Sequence, residues 1–587
     1  MKKLLTIVSI LLAITAIAYS QNNVPLPSKA QLSWHESERI MFVHWGMATW
    51  QNREYDKHAI KDVKQINNSD VAFSINDCDH SYLQNINIDK LNTDQWCDVA
   101  RSWGAKMIIF VAKHTGGFCW WQTNTTNYGV KELNWKNGKG DVMRDLSNSC
   151  KKYGLKLGVY IYPGDDHWGA GIGSGGVTKD TSLQQGYNAI FRQQLTEVLS
   201  RYGDISEVWF DGNCKIPVKD ILDTYAPNAV VFQGSEASLR WVGNENGIAP
   251  YPNWYTLSCE DLKQGNSTAL SSDINGECYA PVEIDVPLLK NKGHKWFWSK
   301  DCDSLLLSVE QLMNLYYKSV GRGSVLLLNS TPDTTGLIPQ SHYDVYKAFG
   351  KEIAKRFDNP ISFTHGKGNK LVLKFSKPQN INHVIIEEDL QYGQRVLEYE
   401  ICGKMKGKWY KICNGKSIGS KRIEFFKDTK VTELELVITK AKGVPHIKRF
   451  ASFNVQTNLQ DLVKQDNKSK PIQVGYWDKN SFVDTEYREI QIDLTEYANT
   501  IGEYLLSFNQ ISMDYFNGKS STLEFKEIEF NIYGQKNNDF IRKINDTQFL
   551  ITNSQQTLKE FPIIFKTKIK HSGANSVGEI TLQKLEY

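Results

Sequence analysis

The sequence predicts an α/β fold: a (β/α)8-type barrel followed by one or two C-terminal β-sandwich domains. Between about 38 and 345, continuous apolar runs alternate with amphipathic helical patterns, which is how a parallel sheet covered by helices reads. Nearly every run leads straight into a polar residue, and barrels place their sites at the C-terminal ends of strands. After about 350 the helical patterns vanish and period-2 alternation takes over.

Taken in order, Ile40-Met41-Phe42-Val43 reads as a buried strand and delivers His44. Lys106 to Val111 is the second and runs into Lys113-His114. A helical stretch from Asp141 to Tyr153 precedes the third, Leu155 to Ile161, which carries Tyr160 with Tyr162 just beyond. A helical stretch from Leu183 to Tyr202 precedes the fourth, Glu207-Val208-Trp209-Phe210, followed by Asp211. Ala229 to Phe232 is the fifth, and Ser324 to Leu328 the last, after a helical stretch from Leu305 to Ser319. A doubly wound sheet fits the same alternation, but no GxGxxG or P-loop follows any strand, which disfavours a nucleotide-binding sheet. Lys370 to Phe375 and Glu433 to Ile438 alternate as sandwich strands. A polar stretch, Gln456 to Pro471, reads as a linker, and Glu489 to Leu494 and Leu523 to Phe530 begin a second β-rich segment. The predicted domains are 21–348, the barrel; 349–456, a β-sandwich; and 472–587, a second sandwich.

The 587 residues hold 69 basic and 65 acidic side chains, a net charge of +4 with no polybasic run, which argues against a nucleic-acid partner. Residues 1–20 read as a secretory signal peptide: Lys2 and Lys3, an apolar stretch from Leu4 to Ala18, then Ala18-Tyr19-Ser20. The expectation is a periplasmic or secreted protein with no membrane contact after cleavage. Ten Cys permit disulfides in that compartment, but the spacings show no regular framework and no zinc pattern. The expectation is mostly buried free thiols and no structural metal site.

Several motifs resemble those of glycoside hydrolase family 29, the α-L-fucosidases, over roughly residues 35–455. Phe42-Val43-His44-Trp45-Gly46 resembles the family's first strand, Ala112-Lys113-His114-Thr115-Gly116-Gly117-Phe118 its second, and Gly154 to Tyr160 its third. Val208-Trp209-Phe210-Asp211-Gly212 resembles the nucleophile strand, and Leu326-Leu327-Leu328-Asn329 with Pro332-Asp333 and Gly336-Leu337-Ile338 the closing one. In the sandwich, Gly393 to Val396 and Ile418 to Ile423 are also family-like. Arg240 to Gly247 and Ala280 to Val286 resemble the subfamily that prefers branched α-1,3/1,4-linked fucose. One stretch departs: the family's His-His-Asp-Gly is His114-Thr115-Gly116-Gly117 here. Thr115 can hydrogen-bond but carries no charge and reaches less far, so the second His contact does not carry over.

A retaining glycosidase needs one ionised carboxylate to attack the anomeric carbon and one protonated carboxyl to donate to the leaving oxygen, about 5–5.5 Å apart. Asp211, at a strand end beside Gly212, fits the nucleophile. Glu245, in a loop after the fifth strand and near Trp241, fits the acid/base, and the resemblance agrees. Glu283 is the runner-up, followed by Asp285 and Glu236; if Glu283 is not the acid, it is expected to hold a substrate hydroxyl. The resemblance places His44, His114, Tyr160, Trp209 and Arg240 around the sugar. Trp296 is the candidate for its methyl or ring face, and Glu54-Tyr55 for the pocket lining. The chemistry needs carboxylates and water, so no cofactor is expected; the partner is a fucosylated oligosaccharide or glycoconjugate. Two alternatives stay open at this point: a relative acting on another 6-deoxy or galacto-configured sugar, and a catalytically silent glycan-binding protein.

Overall fold

Eight short parallel strands form the heart of the computed structural model: β1 (Arg39–Val43), β2 (Met107–Lys113), β3 (Lys156–Ile161), β4 (Ile205–Trp209), β5 (Val230–Phe232), β6 (Arg240–Trp241), β7 (Val282–Pro287) and β8 (Val325–Ser330). Their order is β5-β4-β3-β2-β1-β8-β7-β6, and a parallel bridge between Phe232 and Leu239 joins the two ends. β1 pairs with β8 and β2 together, with Ile40 opposite both Leu327 and Met107. The structure describes residues 24–52, 83, 85–245, 247–290, 294–456, 472–477, 487–495, 497–498, 502–512, 522–532, 535–536, 540–553, 563–572 and 576–584. The expected signal peptide, Glu54, Tyr55 and Cys78 therefore lie outside the described residues.

Every residue of β2, β7 and β8 is buried, because one face points into the barrel and the other under the helices. The helices start and stop where local chemistry dictates. The Asp141 side chain accepts from the Arg144 N–H at 2.8 Å and caps the helix Val142–Tyr153, which Gly154 ends in the left-handed region at φ 66°. Ser308 and Gln311 form a capping box on the helix Val309–Lys318. A short helix ahead of the barrel, Lys29–His35, pushes Trp34 among Ile40, Met107, Val230 and Val325, at the N-terminal ends of the strands, and so closes the lower mouth.

Between β6 and β7 the chain makes an antiparallel ribbon, Thr256–Leu257 against Cys278–Tyr279, stapled by a Cys259–Cys278 disulfide. The expectation of free thiols holds for the buried Cys97, Cys119, Cys150, Cys214 and Cys302 and the half-buried Cys402 and Cys413. The bridged pair departs from it, because both partners stand on ribbon ends that only the fold brings together.

A six-stranded antiparallel sheet follows: β9 (Ser362–Lys367), β10 (Lys370–Glu388), β11 (Val396–Met405), β12 (Lys408–Lys416), β13 (Arg422–Ala441) and β14 (His446–Phe453), ordered β9-β14-β10-β13-β11-β12. Register shifts interrupt the pairing of the long β10 and β13. Leu373 and Leu434 from one end of these strands and Val384 and Ile386 from the other reach a single core. Polar side chains bind this sandwich to the barrel. Gln394 accepts from the Tyr255 N–H at 2.9 Å and donates to the Asn253 carbonyl at 2.9 Å, and the Ser420 N–H donates to the Tyr255 hydroxyl at 2.8 Å.

Thr457–Tyr587 belong to a separate unit. Its described strands form a five-stranded and a four-stranded antiparallel sheet around Leu506, Phe508, Phe530, Phe549, Phe565 and Ile580, a further sandwich.

Candidate active site

Alternation along β4 sets the vertical order of the site. Trp209 faces inward, so Glu207 lies one layer below it and Asp211 one layer above, just past the strand end. Gly212 follows in the left-handed region at φ 70° and its N–H donates to Gln233 Oε1 at 2.7 Å, which fixes the turn carrying Asp211. The Tyr160 hydroxyl donates to Asp211 Oδ2 at 3.0 Å. Trp209 stacks on Tyr160 at 5.3 Å and on Phe232 at 4.0 Å, forming the platform beneath the carboxylate.

Around this platform stand the expected histidines. His114 lies parallel to Tyr160, centroids 5.7 Å apart, and 6.0 Å from His44. His44 Nδ1 is 2.8 Å from Asn329 Oδ1. The amide is oriented by its own Nδ2, which donates to the Trp296 carbonyl at 2.9 Å, so Nδ1 carries the hydrogen and Nε2 is left as acceptor. Burial, then the proximity of His114, hold the His44 pKa well below its ordinary value despite the Asn329 bond, so the ring is neutral. Trp296 packs on His44 at 5.0 Å, and its indole N–H donates to Glu245 Oε2 at 3.1 Å. The chain of contacts Asp211–Tyr160–His44–Trp296–Glu245 thus places both predicted catalytic carboxyls on the rim of one aromatic-lined pocket. Thr115, by contrast, is fully buried, and its hydroxyl finds no hydrogen-bond partner among the described residues.

Three expectations need correction. Arg240 is fully buried and points away from the pocket. Trp241, its neighbour in a two-residue strand, takes the inward position and donates to Asp285 Oδ1. The Arg240 guanidinium instead gathers the Ala280 carbonyl at 2.8 Å, Thr268 at 3.2 Å, Trp254 at 2.6 Å and Ser272 Oγ at 3.0 Å. It anchors the segment that the disulfide closes, and its burial keeps it from the sugar. Second, Glu283 touches no rim residue. It lies under Trp209, whose indole donates to it at 2.7 Å, and it shares a hydrogen bond with Glu207; Trp34 donates to Glu207 at 3.0 Å and to Glu283 at 3.3 Å. It therefore supports the platform and does not face substrate hydroxyls. Third, the indole on Glu245 belongs to Trp296, whereas Trp241 serves Asp285. Burial and the nearby Glu245 raise the Asp285 pKa well above the carboxylate range. Glu236 is held by Lys219 at 3.6 Å, on the outer side of the loops.

Two participants are not among the site residues expected from the sequence. Asn329 closes the Leu-Leu-Leu-Asn run, a polar residue at a strand end, which was a legible cue. Phe297 meets His44 and His114 edge-on at 5.4 and 5.3 Å, and nothing in its neighbourhood foretold that. The loops after β4 and β5 also line a cleft of about 490 Å³, with Asn213, Lys215, Glu236 and Gln264 among its walls.

Comparison with known proteins identifies the family. The family model described as Alpha-L-fucosidase matches residues 7–355. Alpha-L-fucosidase 1 of Arabidopsis thaliana is 29% identical over 474 residues, 72% of this chain and 86% of that one. The crystal structure of a putative alpha-L-fucosidase from Bacteroides thetaiotaomicron is 33% identical, covers 74% of this chain and 100% of its own, and superposes with a TM-score of 0.65. A glycoside hydrolase 29 family member from an unknown rumen bacterium is 25% identical, covers 96% of this chain and 100% of its own, and gives a TM-score of 0.63. With the family model spanning more than half of its length, and a barrel that gathers the motif residues at one mouth, the chain belongs to the α-L-fucosidases of glycoside hydrolase family 29 and is a glycosidase.

Proposed function

We propose that this protein is an exported, exo-acting, retaining α-L-fucosidase that releases terminal α-1,3/1,4-linked fucose from branched glycans. The observation that carries the reading is the pair of rim carboxyls: Asp211 held by the Tyr160 hydroxyl, and Glu245 held by the Trp296 indole across the same pocket. Asp211 Oδ attacks the anomeric carbon while Glu245 gives its proton to the departing glycosidic oxygen. Water, deprotonated by Glu245, then attacks the glycosyl-Asp211 ester and frees fucose with its configuration retained. Tyr160 orients the nucleophile by hydrogen-bonding its second oxygen, and the neutral His44 accepts a sugar hydroxyl at Nε2. The α-1,3/1,4 assignment is supported by the resemblance of Arg240 to Gly247 and Ala280 to Val286 to the subfamily that prefers branched fucose.

The test is fucose release from matched α-1,2-linked and branched α-1,3/1,4-linked glycans, with the first-formed anomer read by NMR. Release confined to the branched set, with the α-anomer appearing first, is the expected result. Release from the α-1,2 set alone would reject the linkage assignment, and a β-anomer first would reject the double-displacement mechanism.

A further inference from the structure

Away from the catalytic mouth, behind the end of β8, three side chains of metal-ligand type converge. Cys302 opens the turn Cys302–Leu305, Asp303 follows it, and His342 lies in the first turn of the helix Gln340–Phe357. His342 Nε2 is 3.6 Å from Cys302 Sγ and 3.3 Å from Asp303 Oδ1, and the three atoms all lie within 4.8 Å of one another. Cys302 and His342 are buried, whereas the Asp303 side chain is 61% exposed.

We propose that Cys302, Asp303 and His342 bind a divalent zinc-type metal ion, with water completing the sphere on the Asp303 side. In a tetrahedral zinc site with bonds of about 2.0–2.3 Å, sulfur and nitrogen ligands lie about 3.5 Å apart and nitrogen and oxygen ligands about 3.3 Å apart. The two separations seen here match both values. A three-centre hydrogen bond from Nε2–H to the carboxylate and the sulfur is the metal-free alternative. A metal ion fits the same convergence, because thiolate, imidazole and carboxylate can all direct lone pairs to one point. The other ring nitrogen faces Thr331 Oγ1 at 3.5 Å, the outer partner that sets the orientation of a ligating imidazole. The mixed sulfur, nitrogen and oxygen donor set suits zinc and not calcium or magnesium. Cys302 and His342 are 40 residues apart, so no spacing motif reveals the site. The ion ties the segment that carries Trp296 and Phe297 to the barrel's last helix. Its role is to hold those rings against His44 and His114, away from the reacting atoms.

The experiment uses the full chain, stripped with chelator, reloaded with zinc alone and desalted. Elemental analysis is expected to find one zinc per chain, and cobalt substitution to give a thiolate charge-transfer band. Cys302→Ser and His342→Ala are expected to remove both signals. Asp303→Asn, at an exposed position where folding is not in question, is expected to weaken zinc binding by more than about 100-fold, beyond the loss that an outer-sphere partner alone can cause. Chelated enzyme is expected to show a raised KM with kcat less affected, restored by zinc. Failure of wild type to retain zinc, or zinc content unchanged by Asp303→Asn and Cys302→Ser, would overturn the proposal.

Discussion

Two pairs of carboxyl groups stand one above the other in this barrel, and β4 supplies one member of each. At the floor, Glu207 of β4 and Glu283 of β7 are fully buried and share a hydrogen bond, with indole N–H groups from Trp34 and Trp209 on them. At the mouth, Asp211 follows β4 and Glu245 follows β6, and both are partly exposed. Burial, before any other cause, raises the pKa of both floor groups; Glu207 goes well above the usual range, pushed further by Glu283. The floor pair therefore keeps a proton at neutral pH, whereas the mouth holds carboxyls that solvent and substrate can reach. A shift of four residues along β4 separates a structural carboxyl from a chemical one.

This contrast is broken most directly at the mouth. Asp211→Asn should lower fucose release by on the order of 10⁴-fold, as loss of a covalent nucleophile does, with the melting temperature almost unchanged. Substantial residual turnover would transfer the nucleophile's role elsewhere. Glu245→Gln should cost about 10²–10⁴-fold on natural glycans, the worth of a general acid. The loss should be much smaller on an aryl fucoside with an acidic leaving group, which needs no proton. Equal losses on both substrates would contradict the acid assignment. At the floor the signature should invert. Glu207→Ala removes a carboxyl from a packed interior and leaves Glu283 without its partner, so stability should fall by about 3–5 kcal/mol while kcat of the folded fraction stays within a few-fold. Glu207→Gln, which keeps a donor to Glu283, should restore most of that stability. A large fall in kcat with normal thermal stability would erase the distinction between floor and mouth.

A third carboxyl sharpens the comparison by titrating the opposite way. Glu38, just before β1, meets Lys421 of the first sandwich and accepts from Tyr316 at 2.6 Å. Burial works against its charge, but Lys421 and Arg39 outweigh burial and bring its pKa from 4.5 to about 2. A depressed carboxyl pKa contributes stability that is present above 4.5 and lost as pH falls through 2, roughly 3 kcal/mol here. The floor pair, with raised values, contributes in the other sense: its stability is fully present at acid pH and declines as pH rises. Acid denaturation followed in wild type and Glu38→Gln should show that the variant loses less stability below pH 4.5. Identical acid limbs would remove Glu38 from the account.

The barrel was legible in the sequence wherever a strand was long enough to carry a signal. Ile40–Val43, the run ending at Val111 and the run ending at Ile161 are continuous apolar stretches, and such stretches belong to strands buried on both faces. The two residues of β6 carry no period, so nothing local separates the inward Trp241 from the outward Arg240, and the resemblance alone points the arginine to the sugar. Glu207 did leave a trace, a charged residue inside an apolar strand, but its partner Trp34 comes from a helix 173 residues away. Asp211, His44, His114 and Tyr160 were readable because strand ends are local features. The Cys259–Cys278 bridge and the Asp285–Trp241 contact depend on how a long excursion between β6 and β7 folds back, which no local pattern encodes.

The indole that seals the lower mouth also orders events in time. Trp34 reaches Glu207 and Glu283 across 173 and 249 residues, so both contacts form only when distant parts of the barrel come together. In an unfolded chain a glutamate titrates at about 4.3 and is ionised at neutral pH. Docking of Trp34 strips their water and obliges the pair to take up a proton, so completion of the fold is coupled to proton uptake. Maturation of this enzyme should therefore slow as the surrounding medium becomes more alkaline, at a step remote from the chemistry it serves.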